Sequence, residues 1–236
     1  MNYAIIAAGE GSRLAQEGVA RPKPLVLLNG EPMIGRLIHM FVRRHAESIS
    51  VIVNEQMTEV QDYLRSLSLP VPLHLVVKST PSSMHSFAEL SRVLPEGKFC
   101  LTTVDTIFRE SDFARYIDAF ESDTSHDGMW AVTPFVDDEK PLWVTVDDKM
   151  DITAFLDANP DGRAHLVSGG VYAMTHRALP VLHACLEEGV SRMRNFQRKL
   201  IAAGLRLQAY SIDKIIDVDH AGDIATAEEF IKTDNR

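Results

Sequence analysis

The chain has 236 residues, of which 45% are hydrophobic and 24% are charged. This length and composition suit a globular protein with one large α/β domain or two small domains. Lysine and arginine total 24 against 33 aspartate and glutamate residues, so the net charge is −9. We therefore expect no nucleic-acid ligand, because binding to its backbone needs clustered cations.

The start of the chain and its two cysteines indicate the cellular compartment in which the protein is expected. Cys100 and Cys185 lie far apart in apolar surroundings, which is typical of buried thiols in a reducing environment. Met1 is followed by a strand-like run instead of a leader peptide, and no apolar run approaches about 18 residues. We therefore expect a cytoplasmic protein without a membrane span.

In the first half of the chain, short apolar runs typical of buried strands alternate with amphipathic patterns typical of helices. The predicted strands are 3–8, 49–53, 73–77 and 99–104. The predicted helices are 32–42, 57–67, 84–94 and 113–120.

In the second half, the strand-like runs follow one another more closely. Strands are predicted at 129–135, 143–146, 152–156, 166–174, 205–212 and 215–219, with acidic turns at 137–139 and 147–148. Helices are predicted at 178–187, 191–203 and 221–232. The alternation predicts an α/β fold in which helices cover both faces of a mixed, mostly parallel sheet, with extra strands in the second half.

A glycine-rich loop follows the first predicted strand. Gly9 and Gly11 are followed by Arg13, and Lys23 lies within a Pro-Lys-Pro triplet. Small residues after a strand let backbone N–H groups approach a phosphate, and Arg13 and Lys23 would add positive charge there. We therefore predict that a nucleoside triphosphate binds at the end of this strand.

Other kinds of glycine loop fit less well. A dinucleotide-binding turn requires a third glycine where this chain has Leu14, and the prolines at 22 and 24 oppose a long helix after the loop. A P-loop requires Gly-Lys followed by Ser or Thr, and that triplet does not occur in the chain. A tight turn without a ligand is the remaining alternative.

Acidic residues at the ends of distant strands predict a metal site. Asp105 ends the strand at 99–104, and Asp217 and Asp219 lie near the last strand. Ligands of such sheets bind at the carboxyl ends of strands, and Mg²⁺ takes one or two carboxylates together with phosphate oxygens and water. We therefore predict Mg²⁺ bound by Asp105 with Asp217 or Asp219. Alternatively, these aspartates and Asp223 only cap turns and the last helix.

Two stretches carry a family resemblance. Residues 7–14 read AAGEGSRL and residues 22–25 read PKPL. They resemble the signature A-A-G-x-G-[ST]-R-[LM] followed by P-K-[PA]-L of the nucleotidyltransferase (NTP transferase) superfamily, which includes sugar-1-phosphate nucleotidylyltransferases and bacterial choline-phosphate cytidylyltransferases. Residues 168–172 resemble the family's N-x-G-[IV]-Y stretch, and residues 217–224 resemble its D-[IV]-[DG]-T-P-x-D-L ending.

The resemblance implies a Rossmann-like fold of the nucleotide-diphospho-sugar transferase type. It implies a single domain over 1–236, with a nucleotide-binding half at 1–125 and an acceptor-binding half at 126–236. The implied reaction transfers a nucleoside monophosphate from an NTP to a phosphorylated acceptor, a sugar 1-phosphate, with release of pyrophosphate and with Mg²⁺ as cofactor.

The resemblance also assigns roles to residues. Arg13 would neutralise the leaving pyrophosphate, and Lys23 would stabilise the α-phosphate in the transition state. The implied nucleotide-binding residues are Ala7, Ala8, Gly9, Glu10, Gly11, Ser12 and Ser83. The implied acceptor-binding residues are His85, Ser168, Gly169, Gly170 and Tyr172. The spacing of Asp219 to Asp223 matches the cytidylyltransferase-like members and favours Asp219 as the second metal ligand, whereas the sugar-transferring members favour Asp217.

The chain departs from the family pattern where the acceptor binds. Residues 80–87 read TPSSMHSF, closer to the N-N-x-x-S-L stretch of choline-phosphate cytidylyltransferases than to the G-T-A stretch of sugar members. Residues 155–160 lack the lysine that holds the sugar phosphate, and Arg163 or Arg194 is a candidate substitute. Ser168 replaces the usual asparagine. A phospho-alcohol such as phosphocholine therefore remains an alternative acceptor.

Two further classes of protein remain as alternatives. A glycosyltransferase of similar fold usually has a D-x-D pair, but the residues two positions from Asp105 are Thr103 and Ile107. Arg13 and Lys23 also fit pyrophosphate release better. A nucleotide-binding regulatory protein without catalysis is disfavoured by the same basic residues and by Asp105. The base and the oligomeric state are left open.

Overall fold

The structure, a computed structural model, describes residues 1–136 and 139–232. Asp137 and Asp138 of one predicted acidic turn therefore lie outside the described residues. The strands are β1 (Asn2–Ala7), β2 (Leu27–Leu28), β3 (Glu31–Pro32), β4 (Ser48–Val53), β5 (Leu73–Val77), β6 (Phe99–Thr103), β7 (Thr106–Ile107), β8 (Gly128–Thr133), β9 (Trp143–Val146), β10 (Ile152–Leu156), β11 (Leu166–Met174), β12 (Leu207–Ser211) and β13 (Ile216–Asp217). The helices are α1 (Ser12–Gln16), α2 (Met33–Arg43), α3 (Thr58–Ser66), α4 (Ser83–Ser91), α5 (Glu110–Ser122), α6 (Ala178–Glu187), α7 (Met193–Ala202) and α8 (Ala221–Lys232), with a 3-10 helix at Lys23–Leu25.

Within the described residues, nine strands form one central sheet. Its order is β10-β9-β11-β6-β1-β4-β5, and β8 lies between β11 and β12. β1 pairs in parallel with β4 and β6, and β4 pairs in parallel with β5. β11 is antiparallel to β6, β8 and β9 and so joins the two halves of the chain. The predicted α/β fold with a mixed, mostly parallel sheet is confirmed.

The two faces of β1 explain why helices cover both sides of the sheet. Successive side chains of a strand point to opposite faces. Tyr3 and Ile5 pack into a core with apolar residues of α2, α3, α5 and α8. Ala4 and Ile6 pack into a second core with those of α4, α6 and α7. Because both cores are buried, the strand is apolar after its first residue, Asn2.

Most predicted elements are present, and the differences are local. The predicted strand at 99–104 ends at Thr103, so Asp105 lies in the turn that follows it. The two-residue strands β3 and β7 and the short helix α1 were not predicted, because they have too few residues to show a period. Cys100 and Cys185 are both free and buried, as predicted. In the described part of the chain, every helix is too short or too polar to span a bilayer.

A buried charge network fixes the turn between α5 and β8. Asp123 accepts a hydrogen bond of 2.7 Å from the backbone N–H of Ser125, and its other oxygen lies 2.5 Å from Nδ1 of His126. Nε2 of His126 lies 2.8 Å from Asp151. Burial alone would raise the pKa of Asp123, but the hydrogen bonds of Ser125 and His126 outweigh burial and lower the pKa to about 2.

This lowered pKa predicts a pH-dependent contribution to stability. A carboxylate whose pKa is lower in the folded state stabilises the fold above its ordinary pKa, and the contribution is lost as the pH falls towards the folded-state value. We expect Asp123→Asn to lower the free energy of unfolding by about 2 kcal/mol at pH 7 and by about half of that at pH 3. Urea denaturation at both pH values measures the difference. The exposed Asp161 provides the control Asp161→Asn, and an Asp123→Asn difference that stays constant between pH 7 and pH 3 would contradict the assignment.

Candidate active site

A cleft of about 490 Å³ opens at the carboxyl ends of β1, β4, β5 and β6. This is the edge of a parallel sheet at which ligands bind. Nearly all of the residues that line it come from the first half of the chain, with Asp219 from the second half. The predicted residues among them are Ala8, Gly9, Glu10, Gly11, Ser12, Arg13, Lys23, Ser83, Asp105 and Asp219.

The glycine loop holds Lys23 at the base of this cleft. Gly11 has a φ of 63°, in the left-handed region that favours glycine. A Cβ atom on Gly11 would lie 2.8 Å from Cβ of Lys23, so only glycine lets the lysine stem pass this close to the loop. The prolines on either side of Lys23 start and shape the 3-10 helix that carries it.

Lys23 joins two of the predicted metal-binding aspartates. Its Nζ lies 2.5 Å from Oδ2 of Asp105 and 2.7 Å from Oδ1 of Asp219. Arg13 reaches the other oxygen of Asp219 at 3.1 Å. Burial alone would lower the pKa of Lys23, but Asp105 and Asp219 outweigh burial and raise it. Lys23 is therefore a fully charged ammonium group, although only 9% of the residue is exposed.

A short antiparallel pairing brings Asp217 beside Asp105. Residue 217 of β13 lies opposite Thr106 of β7, and the backbone N–H of Val218 donates to the carbonyl of Asp105. The Thr106 hydroxyl donates to Oδ1 of Asp217 at 3.1 Å. Asp217 is an exposed residue beside the carboxylate of Asp105, and the negative charge of Asp105 raises its pKa.

A second pocket of about 310 Å³ lies on the other side of Asp105. It shares Ser83, Thr103 and Asp105 with the larger cleft. Its other lining residues come mainly from β11 and from the start of α7, and they are Leu142, Ser168, Gly170, Tyr172, Arg192, Met193, Arg194, Gln197 and Asp217. The two pockets therefore meet at Asp105.

Gly170 allows β11 to approach Asp217. A Cβ atom on Gly170 would lie 2.5 Å from the Thr106 hydroxyl oxygen that holds Asp217, so a larger residue would displace this contact. The neighbouring Gly169 lies against Ile215 and lines a small cavity of about 80 Å³ on the other side of the strand. The predicted acceptor-binding glycines thus shape the backbone around the aspartates.

Three of the residues considered in the sequence lie apart from both pockets. Ala7 is buried within β1 beneath the loop. His85 lies in the first turn of α4, where its Nδ1 is 2.8 Å from the Ser82 hydroxyl oxygen. Arg163 is an exposed side chain that pairs with Asp161. Of the two candidate substitutes for the missing lysine, Arg194 is therefore the one that lines the second pocket.

Several lining residues escaped the sequence analysis. On the cleft side they are Asn54, Ser79 and Thr103, whereas Thr80, Ser82 and Ser86 belong to the stretch at 80–87 that the sequence pattern identified only as a whole. On the side of the second pocket they are Leu142, Arg192, Met193 and Gln197. Asn54 and Thr103 could have been predicted from the rule that ligands bind at the carboxyl ends of parallel strands, because each lies at such an end. A surface arginine such as Arg192 gives no comparable signal.

The carboxylates suit a divalent cation that is held mainly by a substrate. Lys23 and Arg13 pair with Asp105 and Asp219, whereas Asp217 has no described cation within ion-pair distance. No group of three acidic, histidine or cysteine side chains in the described ranges forms a complete metal site. Mg²⁺ takes only one or two carboxylates together with phosphate oxygens and water, so the pair Asp105 and Asp217 fits it.

Solved structures share this fold over almost the whole chain. The inositol-1-phosphate CTP transferase of T. maritima has a TM-score of 0.81 at 18% identity, and the match covers 98% of this chain and 96% of that one. A putative glucose-1-phosphate thymidylyltransferase of Bacillus anthracis has a TM-score of 0.82 at 16% identity, over 97% and 94% of the two chains. At these identities the likeness shows the Rossmann-like fold alone.

Sequence comparisons show the family. The chain is 24% identical to the bifunctional protein GlmU of Methanococcus maripaludis, over 96% of this chain and 53% of GlmU. It is 30% identical to the 2-aminoethylphosphonate cytidylyltransferase of Lancefieldella rimae, over 46% of this chain and 44% of the relative. The chain thus spans about half the length of the curated relatives it matches. Residues 3–203 match the model of the MobA-like NTP transferase domain, and this confirms the resemblance of the glycine loop and the Pro-Lys-Pro triplet. The chain belongs to the family of MobA-like NTP transferase domains.

Proposed function

We propose that this protein transfers a nucleoside monophosphate from an NTP to a phosphorylated small-molecule acceptor, a sugar 1-phosphate, and releases pyrophosphate. The observation that carries the proposal is the meeting of two pockets at Asp105, with the charged Lys23 against that aspartate. The larger cleft would take the NTP and the second pocket the acceptor. The nucleotide-binding role of 1–125 and the acceptor-binding role of 126–236 are supported by the origin of the lining residues.

The chain's own residues contribute mainly position and positive charge. Backbone N–H groups of 8–12 would bind the phosphates, and Arg13 would neutralise the leaving pyrophosphate. Lys23 would stabilise the charge that develops at the α-phosphate while the acceptor phosphate attacks in line. In the free protein, Asp105 and Asp219 already hold the ammonium group in place, so little reorganisation is needed.

Mg²⁺ is the proposed cofactor, and Asp105 with Asp217 would hold it. We favour Asp217 over Asp219, because both carboxylate oxygens of Asp219 are engaged, one by Lys23 and one by Arg13, whereas Lys23 contacts only Oδ2 of Asp105. When bound, the ion would neutralise charge on the nucleotide and acceptor phosphates. Asp219 would instead orient the two basic side chains.

A second candidate acceptor is a phospho-alcohol or phosphonate, used with CTP. It is favoured by the similarity to a relative named for cytidylyl transfer to 2-aminoethylphosphonate, which covers 46% of this chain. The serine-rich stretch at 79–86, which lines the larger cleft, is one of the parts of the chain that depart from the sugar-type pattern.

A panel of the four common NTPs against sugar 1-phosphates, polyol phosphates and phosphocholine, with Mg²⁺, tests the proposal. We expect pyrophosphate release that depends on one NTP and one acceptor class. Absence of release with every pair would contradict nucleotidyl transfer, and cleavage of a nucleotide sugar without an NTP would instead indicate a glycosyltransferase.

Removal of divalent metal is expected to stop the reaction. Excess EDTA should abolish pyrophosphate release, and added Mg²⁺ should restore it. Asp105→Asn should lower turnover by about a hundredfold or more, because Asp105 is the carboxylate shared by both pockets. The exposed Asp62 provides the control Asp62→Asn. Full activity in EDTA, or unchanged turnover of Asp105→Asn, would contradict the metal assignment.

A further inference from the structure

Arg192 has the most unusual backbone of any residue in the second pocket. Its φ is 73° and its ψ is 139°, a combination that is strained for any residue with a side chain. The side chain is exposed, lines the pocket and forms no hydrogen bond or ion pair with any described residue. Such strain is typical of functional sites, where surrounding structure holds a side chain in a required position.

Two further arginines make this end of the pocket positive. Arg194 donates to Oδ1 of Asp157 at 2.7 Å, and Arg198 lies 2.8 Å from Oδ2 of the same carboxylate. Arg194 also donates to the backbone carbonyl of Lys140 at 3.1 Å, which fixes its guanidinium group. Arg194 and Arg198 therefore share the carboxylate of Asp157, and Arg192 has no ion-pair partner among the described residues.

The inner wall of the pocket has buried polar atoms that lack partners. Gln197 is 1% exposed, and its Oε1 forms no hydrogen bond of normal geometry with a described residue. The hydroxyl oxygen of Ser168 also lacks a hydrogen bond of normal geometry, although the hydroxyl group of Tyr172 lies close to both side chains. A buried polar atom without a hydrogen bond destabilises the fold, so these atoms are suited to hydrogen-bond a ligand. Gln197 Oε1 only accepts, and a ligand hydroxyl can donate to it.

Among the described residues that line the second pocket, few groups could bind the cationic head group of an acceptor. Ammonium heads are bound by aromatic faces and by unpaired carboxylates. Tyr172 is the one aromatic side chain among the described lining residues. Of the two carboxylates in this lining, Asp105 is paired with Lys23, and Asp217 is the proposed Mg²⁺ ligand and would be occupied by the ion. In the adjacent small cavity the ring of Phe135 is covered by its own cation, because Nζ of Lys214 lies 4.4 Å from the ring centre.

We infer that the acceptor is a phosphorylated polyhydroxy compound without a cationic head, a sugar phosphate or a polyol phosphate, and that Arg192 rejects acceptors with such a head. The inference rests on the proposed function and specifies its acceptor class. Gln197 and Ser168 hydrogen-bond the hydroxyl groups of the acceptor. A positively charged head would lie beside Arg192 and Arg194, and like charges at close range oppose binding.

Reversal of the charge at position 192 tests the inference. For the wild-type protein we expect kcat/KM to be about tenfold or more higher with the best sugar or polyol phosphate than with phosphocholine or phosphoethanolamine. Arg192→Glu should shift this ratio towards the cationic acceptors by about tenfold or more. Glutamate is as strained as arginine at a φ of 73°, so the variant changes charge and keeps the backbone cost. The exposed Arg163 provides the control Arg163→Glu, which should leave the ratio unchanged.

Gln197→Leu tests the hydroxyl contact separately. The KM for the polyhydroxy acceptor should rise about tenfold, while the KM for the NTP stays unchanged. The melting temperature should not fall, because Oε1 has no partner within the described fold. A purely structural role would move the melting temperature and both KM values together.

The outcomes separate the inference from the proposed function. A wild-type preference for phosphocholine or phosphoethanolamine would overturn the inference and leave nucleotidyl transfer intact. An unchanged acceptor ratio in Arg192→Glu would do the same. If no acceptor of either class supports pyrophosphate release, the proposed function fails and the inference fails with it.

Discussion

Replacement of Lys23 by alanine is expected to lower kcat by about a thousandfold, while the KM for the NTP changes much less. Nζ of Lys23 lies at the junction of the two pockets, between Asp105 and Asp219. Its charge is needed most when negative charge moves across the α-phosphate, so its loss should affect the transition state more than the bound substrate. Steady-state kinetics with saturating acceptor would measure both parameters.

The fold of this variant should persist at some cost. Asp105 would lose its cation, and Asp219 would keep only Arg13, but 24% and 30% of their side-chain surfaces are exposed, so water can compensate in part. We expect the free energy of unfolding to fall by no more than about 3 kcal/mol. Lys199, which pairs with Glu188 on the surface, provides the control Lys199→Ala. Turnover of Lys23→Ala within a few fold of the wild type would refute the role given to this lysine.

Gly11→Ala is expected to lower turnover by about a hundredfold, although residue 11 carries no functional side chain. The new methyl group would lie 2.8 Å from Cβ of Lys23 and would displace the lysine stem. A displacement of about 1 Å at a positioned group is enough to cost this much. The left-handed backbone at residue 11 would add about 1–2 kcal/mol of strain.

Gly18→Ala separates the two effects of this substitution. Gly18 has a φ of 87°, but a Cβ atom there would meet nothing within 4 Å. Both variants should therefore lose similar stability in thermal denaturation, whereas only Gly11→Ala should lose turnover. If Gly11→Ala and Gly18→Ala keep equal activity, contact with Lys23 is not what residue 11 provides.

The nucleotide side of the site could be predicted because its parts are close in sequence. A strand, two glycines and a Pro-Lys-Pro triplet follow one another, and local geometry then brings Lys23 to the loop. Because ligands bind at the carboxyl ends of strands, the sequence also predicted that Asp105 would lie near Asp217 and Asp219. It could not distinguish Asp217 from Asp219, because that depends on the pairing of the two-residue strands β7 and β13. Strands of two residues are too short to show an alternation of apolar and polar residues in the sequence.

The acceptor side could not be predicted to the same depth. The period of α7 marks which of its residues are buried, and Gln197 is a polar residue at such a position. Its role depends on how α7 packs against β11, and Arg192 depends on an uncommon backbone conformation. His85 was predicted to bind the acceptor because it lies in the variable stretch at 80–87; its ring nitrogen lies beside Ser82, and this acceptor contact stays a prediction.

Transfer of the α-phosphorus is the central claim, and isotope tracing tests it most directly. The protein would be incubated with Mg²⁺, a sugar phosphate and an NTP labelled with ³²P at either the α or the γ position. The account predicts that the α label appears in a nucleoside diphospho-acceptor and the γ label in pyrophosphate, in equal amounts. Recovery of the γ label as inorganic phosphate, or of the α label as free nucleoside monophosphate, would contradict nucleotidyl transfer and indicate hydrolysis.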